Sequence, residues 1–406
     1  MRKNLVFIIT LFGLWSCTNP EVDPLKEILA NNESLQQVSS NPAHKVQILY
    51  TQIDRDEDNT PHFKTYAHNL DTSNYFYPAS TVKLPTALLA LERLNDLAIP
   101  GLNRNTTFLT GASTPPQSAV ASDTTKADSL PTIEHYIKKI LLVSDNDAYN
   151  RLFEFLGQGY INEKLKEKGF DKTRIIHRLS VGGFDTLGNR LSNPVQFLDG
   201  NEVVYELKER YSNGYPTDWG LANQTQGKAY MNSEGEIVEE PFLFHYKNYM
   251  SLQSLHDIVK AVIFPDQLPE DQRFNLSASD YDLVRKYMST LPRESEEPAY
   301  PDLVDWDDYV KFLLYGSAKN KIPEYIKIFN KVGDAYGYLT DAAYIIDTKN
   351  KVEFLLAATI HVNANETFND GVYEYDAIGF PFLGELGKKI YEYELERPRQ
   401  HRPNFD

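Results

Sequence analysis

The chain has 406 residues, a formal net charge of −16 and 41% hydrophobic residues. This length suffices to bury a full core and exceeds the usual size of one domain, so two subdomains or large insertions are expected. A surface that binds nucleic acid needs clustered lysine and arginine, and the acidic balance argues against that class of partner. The only cysteine is Cys17, which excludes an internal disulfide.

Residues 1–17 have the pattern of an export signal. A basic start at 1–3 precedes the apolar run 5–15, which is too short to span a bilayer. The run ends in Leu14-Trp15-Ser16-Cys17, which resembles a bacterial lipobox, and that resemblance implies a lipidated cysteine at the mature N-terminus. We therefore predict a lipid anchor on Cys17 and localisation in the bacterial cell envelope, on the periplasmic face or the cell surface. A chance cysteine in an ordinary secretory signal is the alternative.

The next segments predict a helix followed by a β-hairpin. Apolar residues recur at helical spacing between Leu25 and Leu35, so residues 18–40 are predicted to be a tether and one amphipathic helix. Residues 45–54 and 62–68 are predicted strands, separated by a polar turn. Residues 41–79 would therefore form the first part of an α/β subdomain.

A hydroxyl and an amine stand one helical turn apart at Ser80 and Lys83. The apolar residues from Val82 to Leu94 are too many for one helix face, which predicts a helix that is buried nearly all round. Positions i and i+3 share a helix face, so Lys83 is predicted to reach the Ser80 hydroxyl. A desolvated lysine can act as a base and activate a serine nucleophile. For an isolated S-x-x-K, a capping serine and a solvent-exposed lysine are the alternative.

Two further motifs follow in the chain. Thr132 is predicted to cap a helix that delivers Ser144-Asp145-Asn146, and Lys331-Val332-Gly333 opens a predicted strand. The set S-x-x-K, S-D-N and K-x-G, in this order, resembles the β-lactamase and penicillin-binding protein superfamily, and most closely the class A β-lactamase-like serine hydrolases. The resemblance covers most of residues 24–396.

The resemblance implies a fold, an activity and roles for single residues. The expected fold is α+β, with an antiparallel sheet flanked by helices and a mainly helical subdomain. Ser80 would be the nucleophile, Lys83 its base, and Ser144 with Lys331 a proton relay and electrostatic support. The substrate-binding groups would be Asn146 for the acyl amide, Gly333 for close backbone approach, and the Asp334 amide as partner of the Ser80 amide in the oxyanion hole. No metal or cofactor is implied.

The chain departs from the family pattern in two places. The segment 173–180 resembles the entry to the family's omega loop, but no carboxylate stands where the glutamate that activates the deacylating water is expected. Asp185 and Glu202 are the nearest downstream carboxylates, and His177 is another candidate base. Val332 replaces the hydroxyl residue that binds a substrate carboxylate in the family. These departures predict slow deacylation and weak recognition of a free carboxylate.

We therefore expect an exported serine hydrolase that acts through a Ser80 acyl-enzyme on a β-lactam or related amide. Two alternatives stay open: a D-alanyl-D-alanine peptidase or penicillin-binding protein that acts on peptidoglycan, and a non-catalytic envelope binding protein on the same fold. The substrate would be a small molecule or derive from peptidoglycan, and the sequence leaves the oligomeric state open. Residues 80–320 are predicted to form the helical subdomain, with insertions near 182–250 and 292–320, and residues 321–398 the second part of the α/β subdomain.

Overall fold

The computed structural model describes residues 23–215 and 219–405. The predicted signal peptide and Cys17 lie outside these residues. The helices of the described part are α1 (Pro24–Asn31), α2 (Glu33–Ser39), α3 (Lys83–Leu97), α4 (Ile133–Val143), α5 (Asn146–Leu156), α6 (Gln158–Glu167), α7 (Leu252–Ile263), α8 (Ala278–Ser289) and α9 (Phe380–Glu396). None of these helices is long and apolar enough to cross a membrane.

The strands range from two to ten residues. In chain order they are β1 (Gln47–Arg55), β2 (Pro61–His68), β3 (Thr107–Thr110), β4 (Thr173–Arg174), β5 (Leu191–Ser192), β6 (Val195–Asp199), β7 (Glu202–Leu207), β8 (Arg210–Tyr211), β9 (Thr225–Gln226), β10 (Ala229–Met231), β11 (Ile237–Val238), β12 (Phe242–Leu243), β13 (Tyr249–Met250), β14 (Ile326–Ala335), β15 (Tyr338–Asp347), β16 (Val352–His361) and β17 (Thr367–Phe368).

The centre of the molecule is a five-stranded antiparallel sheet in the order β14-β15-β16-β1-β2. The long strands β15 and β16 are buried along their whole length, because helices cover both faces of the sheet. One core cluster joins the sheet to α1, α2 and α9, and the other joins it to α3, α4, α5 and α7. The hairpin predicted at the N-terminal side of Ser80 is confirmed by β1 and β2, paired from Ile48–His68 to Arg55–Pro61.

The prediction of a single helix within residues 18–40 is wrong in the number of helices. The chain forms two short helices, α1 and α2, with a break at Asn32 in an extended conformation. The Asn32 side chain accepts a hydrogen bond from the Leu35 amide at 3.0 Å and so caps the second helix. Asparagine is a strong N-cap residue, and its cap favours a new helix start over continuation.

The two predicted insertions pack in different ways. Within 182–250, β6 and β7 form a three-stranded sheet with β3, and β10 pairs in parallel with β17 near the C-terminus. Within 292–320, Val310, Phe312 and Leu313 join the core cluster that contains α9. The amides of Phe312 and Leu313 donate to the buried Asp341 carboxylate on β15, at 3.1 and 3.0 Å.

Candidate active site

Ser80 lies in a short 3-10 helix, Ala79–Val82, that leads directly into α3. The amide and the hydroxyl of Thr81 both donate to the Pro78 carbonyl oxygen, at 3.1 and 2.7 Å, and close this turn. The Ser80 side chain is half-buried and lines a cavity of about 880 Å³. In the part of the chain that the structure describes, its hydroxyl makes no hydrogen bond. The hydroxyl is therefore open to a ligand in the cavity.

Lys83 begins α3 and is fully buried. Its amine lies 2.7 Å from Asn146 Oδ1 and 3.2 Å from Ser144 Oγ, and it also donates to the Ser144 carbonyl oxygen. The sequence predicted that Lys83 reaches Ser80, but the described structure contains no hydrogen bond between the two. The amine instead donates to three oxygens at the junction of α4 and α5, two of Ser144 and one of Asn146. The α3 helix is buried nearly all round, as predicted.

The S-D-N motif occupies the junction of α4 and α5. Thr132 caps α4, as predicted, by accepting from the His135 amide at 3.1 Å. Ser144 ends this helix in the left-handed conformation, with φ 59°. The Asp145 carboxylate accepts from the Ala148 amide at 2.8 Å and caps α5, which begins at Asn146. This tight junction directs Ser144 and Asn146 towards Lys83.

Lys331 joins the hydrogen-bond network of Lys83 and Ser144 from the sheet. It lies on β14, is buried, and donates to Ser144 Oγ and to the Val332 carbonyl oxygen, both at 2.9 Å. Ser144 Oγ is therefore shared by the two lysine amines. The structure thus brings Lys83, Ser144, Asn146 and Lys331 into one hydrogen-bonded group next to Ser80.

Burial changes the proton affinity of both lysines. It lowers the pKa of Lys83 well below its usual value of 10.5, and the charge of Lys331 lowers it further. Burial likewise lowers the pKa of Lys331 to about 7, against the opposing effect of Asp334. Removing an ammonium from water disfavours the charged form, and two amines in contact with one hydroxyl repel each other when both are charged. The lowered pKa of Lys83 favours its neutral form, which can accept a proton.

The residues after Lys331 line the cavity. Gly333 packs directly on the backbone at Ser80, and Val332 and Asp334 both contribute to the cavity wall. The predicted role of the Asp334 amide in an oxyanion hole stays a prediction. Desolvation raises the pKa of the Asp334 carboxyl above its ordinary value, although the charges of Lys331 and Lys83 act in the opposite direction.

The carboxylates of the cavity differ from those that the sequence suggested. Asp334 and Asp376 line the cavity that contains Ser80, whereas Asp185 and Glu202 do not. Asp185 instead accepts from the Gly188 amide at 2.6 Å, and Glu202 is exposed on β7. Both residues are thus unsuitable as deacylation bases. Asp376 was missed because it follows β17 in a segment that carries no recognisable motif.

His177 lines the cavity but is a weak base. Its Nδ1 lies in hydrogen-bond contact with the Arg178 carbonyl oxygen, so the ring donates through Nδ1 and leaves Nε2 as an acceptor. Among the described residues, Nε2 has no hydrogen-bond partner. Burial lowers the pKa of His177 to about 3, and nearby Lys247 acts in the same direction. A ring with so low a pKa removes protons poorly at neutral pH.

The remaining cavity wall comes from segments without motifs. Trp306, Tyr309 and Tyr373 line it together with Tyr336 at the β14–β15 turn and Lys247 before β13. They come from the predicted insertions and the C-terminal region, and no sequence spacing connects them. Within residues 23–215 and 219–405, no group of three or more histidine, cysteine or carboxylate side chains is placed to hold a metal ion.

The chain is similar to known proteins in sequence over part of its length and in fold over most of it. The model of the β-lactamase enzyme family matches residues 31–211. A structure titled "Structure of PBP-A" is similar at 16% identity and a TM-score of 0.50, over 91% of this chain and 94% of that one. A β-lactamase from Xanthomonas campestris pv. campestris str. ATCC 33913 is 13% identical with a TM-score of 0.49, over 91% of this chain and 96% of that one. The search of curated proteins found no match.

These findings define the class of fold. The chain has the β-lactamase/transpeptidase-like fold, as the sequence predicted. The matched family and this fold support a β-lactamase-like serine hydrolase. The family match ends before Lys331, so the third motif is supported by its position in the structure alone. Strand β14 brings the Lys331 amine to the serine of the S-D-N motif.

Proposed function

We propose that the protein is an exported serine hydrolase that attacks a β-lactam or a related amide through an acyl-enzyme at Ser80. The observation that carries this proposal is the arrangement of two buried lysine amines around Ser144, beside a serine hydroxyl that is open to the cavity. A purely structural ion network would pair such amines with carboxylates. Here their acceptors are a hydroxyl, an amide oxygen and backbone carbonyl oxygens.

Acylation follows from the protonation states. The neutral amine of Lys83 takes the proton of the Ser80 hydroxyl as its oxygen attacks the carbonyl carbon of the substrate. Backbone amides next to Gly333 stabilise the oxyanion of the tetrahedral intermediate. When the C–N bond breaks, the leaving nitrogen receives a proton from Ser144, which regains one from the Lys83 ammonium. The positive charge of Lys331 supports this relay, and Asn146 holds the acyl amide.

Deacylation is proposed to be the slower half of the reaction. Hydrolysis of the ester needs a base that takes a proton from the attacking water. The loop 177–181 presents His177, Arg178, Leu179, Ser180 and Val181 to the cavity, and none of them is a carboxylate. We therefore propose that the acyl-enzyme accumulates.

A fluorescent penicillin tests the proposal directly. Incubation with the folded protein is expected to give one covalent adduct, which mass spectrometry of the digested protein assigns to the Ser80 peptide. Ser80→Ala should abolish the adduct. Ser317→Ala is a matched control, because Ser317 lines the same cavity, and it should leave the labelling intact. Absence of an adduct in the folded wild type contradicts the proposal and favours a non-catalytic binding protein.

A D-alanyl-D-alanine peptidase acting on peptidoglycan is the second candidate. The cavity is large for a small bicyclic ligand, and its aromatic wall of Trp306, Tyr309 and Tyr373 offers contact area to a longer peptide or glycopeptide. Release of D-alanine from a diacylated peptide that ends in D-Ala-D-Ala distinguishes the peptidase from an enzyme that hydrolyses β-lactams. Faster turnover of the peptide than of any β-lactam would assign the peptidase activity.

The anchor at Cys17 is a separate proposal, supported by the sequence pattern alone. The protein expressed with its own signal should partition into the detergent phase. Cys17→Ala should release it into the aqueous phase or leave the signal uncleaved. Recovery of the wild type entirely in the soluble fraction would contradict lipidation.

A further inference from the structure

A second cavity of about 360 Å³ adjoins the cavity that contains Ser80. The two share His177, Arg178, Val181 and Lys247 as lining residues. Among the described residues, the second cavity is lined by part of the segment 176–190 together with Gln158, Gly214, Tyr215, Tyr246 and Lys247. A substrate that reacts at Ser80 can therefore extend past His177 into it.

Two cations of the second cavity lack a carboxylate partner. In the described part of the chain, neither Lys247 nor Arg190 forms an ion pair, although the chain as a whole carries a net charge of −16. Arg178 differs, because Glu154 neutralises it at 2.9 Å. Among the described residues that line this cavity, the carboxylate is that of Asp185, which accepts a hydrogen bond from the Gly188 amide. The wall of this cavity is therefore electrostatically suited to an anion.

Both cations are held in place by other contacts. The Lys247 ammonium lies 5.7 Å from the ring centres of both Phe242 and Tyr336. Arg190 stacks on Tyr211 at 4.4 Å, and its Nε donates to the Ser212 carbonyl oxygen at 2.8 Å. Among the described residues, the two terminal amino groups of the Arg190 guanidinium make no hydrogen bond. A guanidinium with both terminal groups available matches the two oxygens of a carboxylate.

We propose that the second cavity binds a carboxylate on the acyl part of the substrate, through Lys247 and Arg190. This inference rests on the proposed function. The leaving group must lie beside Ser144, which protonates it, and Ser144 and Val332 line only the first cavity. The cavity beyond His177 therefore receives the acyl side.

The proposal predicts a preference between two matched cephalosporins. One carries a glutaryl side chain on its 7-amino group, which ends in a carboxylate, and the other carries the corresponding neutral monoamide. Wild-type protein should be acylated at Ser80 at least about tenfold faster by the glutaryl compound, because a charge-assisted pair forms only there. Added salt should reduce the ratio of the two rates, since screening weakens the attraction.

Substitutions assign the preference to this cavity. The ratio should fall to about one in the double variant Lys247→Met, Arg190→Gln, and Lys247→Arg should retain it because the charge remains. Lys349→Met is the matched control, since Lys349 also lies over an aromatic ring, at 5.3 Å from the centre of Tyr325, but lines neither cavity. It should keep the wild-type ratio.

The outcomes separate this inference from the proposed function. A ratio near one in the wild type, or an unchanged ratio in the double variant, overturns the carboxylate site while the adduct at Ser80 upholds the hydrolase. Absence of an adduct with both compounds overturns the proposed function and this inference together.

Discussion

The backbone of Gly333 lies against the backbone of Ser80 so closely that no side chain fits between them. A Cβ atom on Gly333 would come within 2.5 Å of the Pro78 carbonyl oxygen and 2.9 Å of the Ser80 amide nitrogen. These neighbours are main-chain atoms at the start of a buried helix, so they cannot rotate away. The glycine of the third motif thus sets the distance between β14 and the nucleophile.

Gly333→Ala is therefore expected to separate β14 from Ser80 and to misplace the oxyanion donors. Loss of one such donor typically lowers the rate about 100- to 1000-fold, and we expect a loss of that order in acylation by a fluorescent penicillin. Gly159→Ala is the control, because its added Cβ would meet Ser212 at an ordinary 3.7 Å. Equal acylation by Gly333→Ala and wild type would mean that the strand is free to move.

Rapid mixing with a chromogenic cephalosporin should show a burst followed by a slow steady state. The groups for acylation are assembled, whereas the loop 177–181 offers no carboxylate for deacylation. A positioned general base typically contributes about 100- to 10,000-fold to such a step. Lys83→Ala should abolish the burst, since the Ser80 hydroxyl then loses its base. Fast linear turnover would point to Asp334 or Asp376 as the base, to be tested by asparagine substitutions.

The pH dependence of acylation should report the two lysines. Lys83 must be neutral to accept a proton, so the rate falls as pH falls through its lowered pKa. Lys331 must be charged to support the relay, and its pKa is lowered to about 7, so the rate also falls as pH rises through about 7. Lys331→Arg should move this alkaline limb to higher pH, because a guanidinium keeps its charge. An unchanged alkaline limb in this variant would assign it to another group.

The loop next to the nucleophile depends on a buried ion pair network. Glu154 on α5 accepts from Arg151 and from Arg178, each at 2.9 Å, and Arg178 also donates to Asn193. Glu154→Ala would leave a buried guanidinium without its partner, which typically costs about 3 to 5 kcal/mol in the free energy of unfolding. Urea denaturation measures this loss.

A matched control uses an exposed pair. Asp305, which is 90% exposed, faces Lys321 at 3.3 Å. Asp305→Ala should change the free energy of unfolding by less than about 1 kcal/mol. Similar small losses in both variants would show that the Glu154 network does not stabilise the loop.

The sequence predicted the motif group and the sheet because both depend on local patterns. Ser80 lies immediately before α3 and Ser144 at the junction of α4 and α5, where helix spacing and capping residues predict helix ends. Lys331 lies within β14, which begins at Ile326, so the prediction that Lys331 opens this strand is wrong. Lys83 and Lys331 both donate to Ser144 in the structure. The hydrogen bonds of Lys83 could not be predicted, since helical spacing shows only what is near on its own helix. The Asn146 oxygen that takes this amine lies 63 positions away.

The rest of the cavity depends on contacts between distant segments. The wall at Val310 and Phe312 is fixed by the buried Asp341, which also accepts from Asn330 at 2.8 Å. Lys311 donates to Asn330 at 2.7 Å and brings the insertion onto the sheet. These polar groups are stable in the core only because they meet one another. A single sequence gives no sign of such pairing.

Ser180→Glu should accelerate deacylation. Ser180 is exposed in the wall of the Ser80 cavity, and its backbone has φ 49°, a conformation already held by a residue other than glycine. Asn150 holds the preceding residue from both sides, because Leu179 donates to its Oδ1 at 2.8 Å and its Nδ2 donates to the Leu179 carbonyl oxygen at 2.9 Å. A carboxylate placed on this anchored loop can take a proton from the attacking water.

We expect the steady-state rate after the burst to rise at least about tenfold in Ser180→Glu. The burst itself should still depend on the Ser80 hydroxyl. Ser180→Gln has the same size without the base and should stay at the wild-type rate. Equal rates in the two variants would mean that position 180 does not reach the ester. A rise in Ser180→Glu alone would show that the missing carboxylate is what limits turnover, because nothing else in the network around Lys83 and Lys331 has been changed.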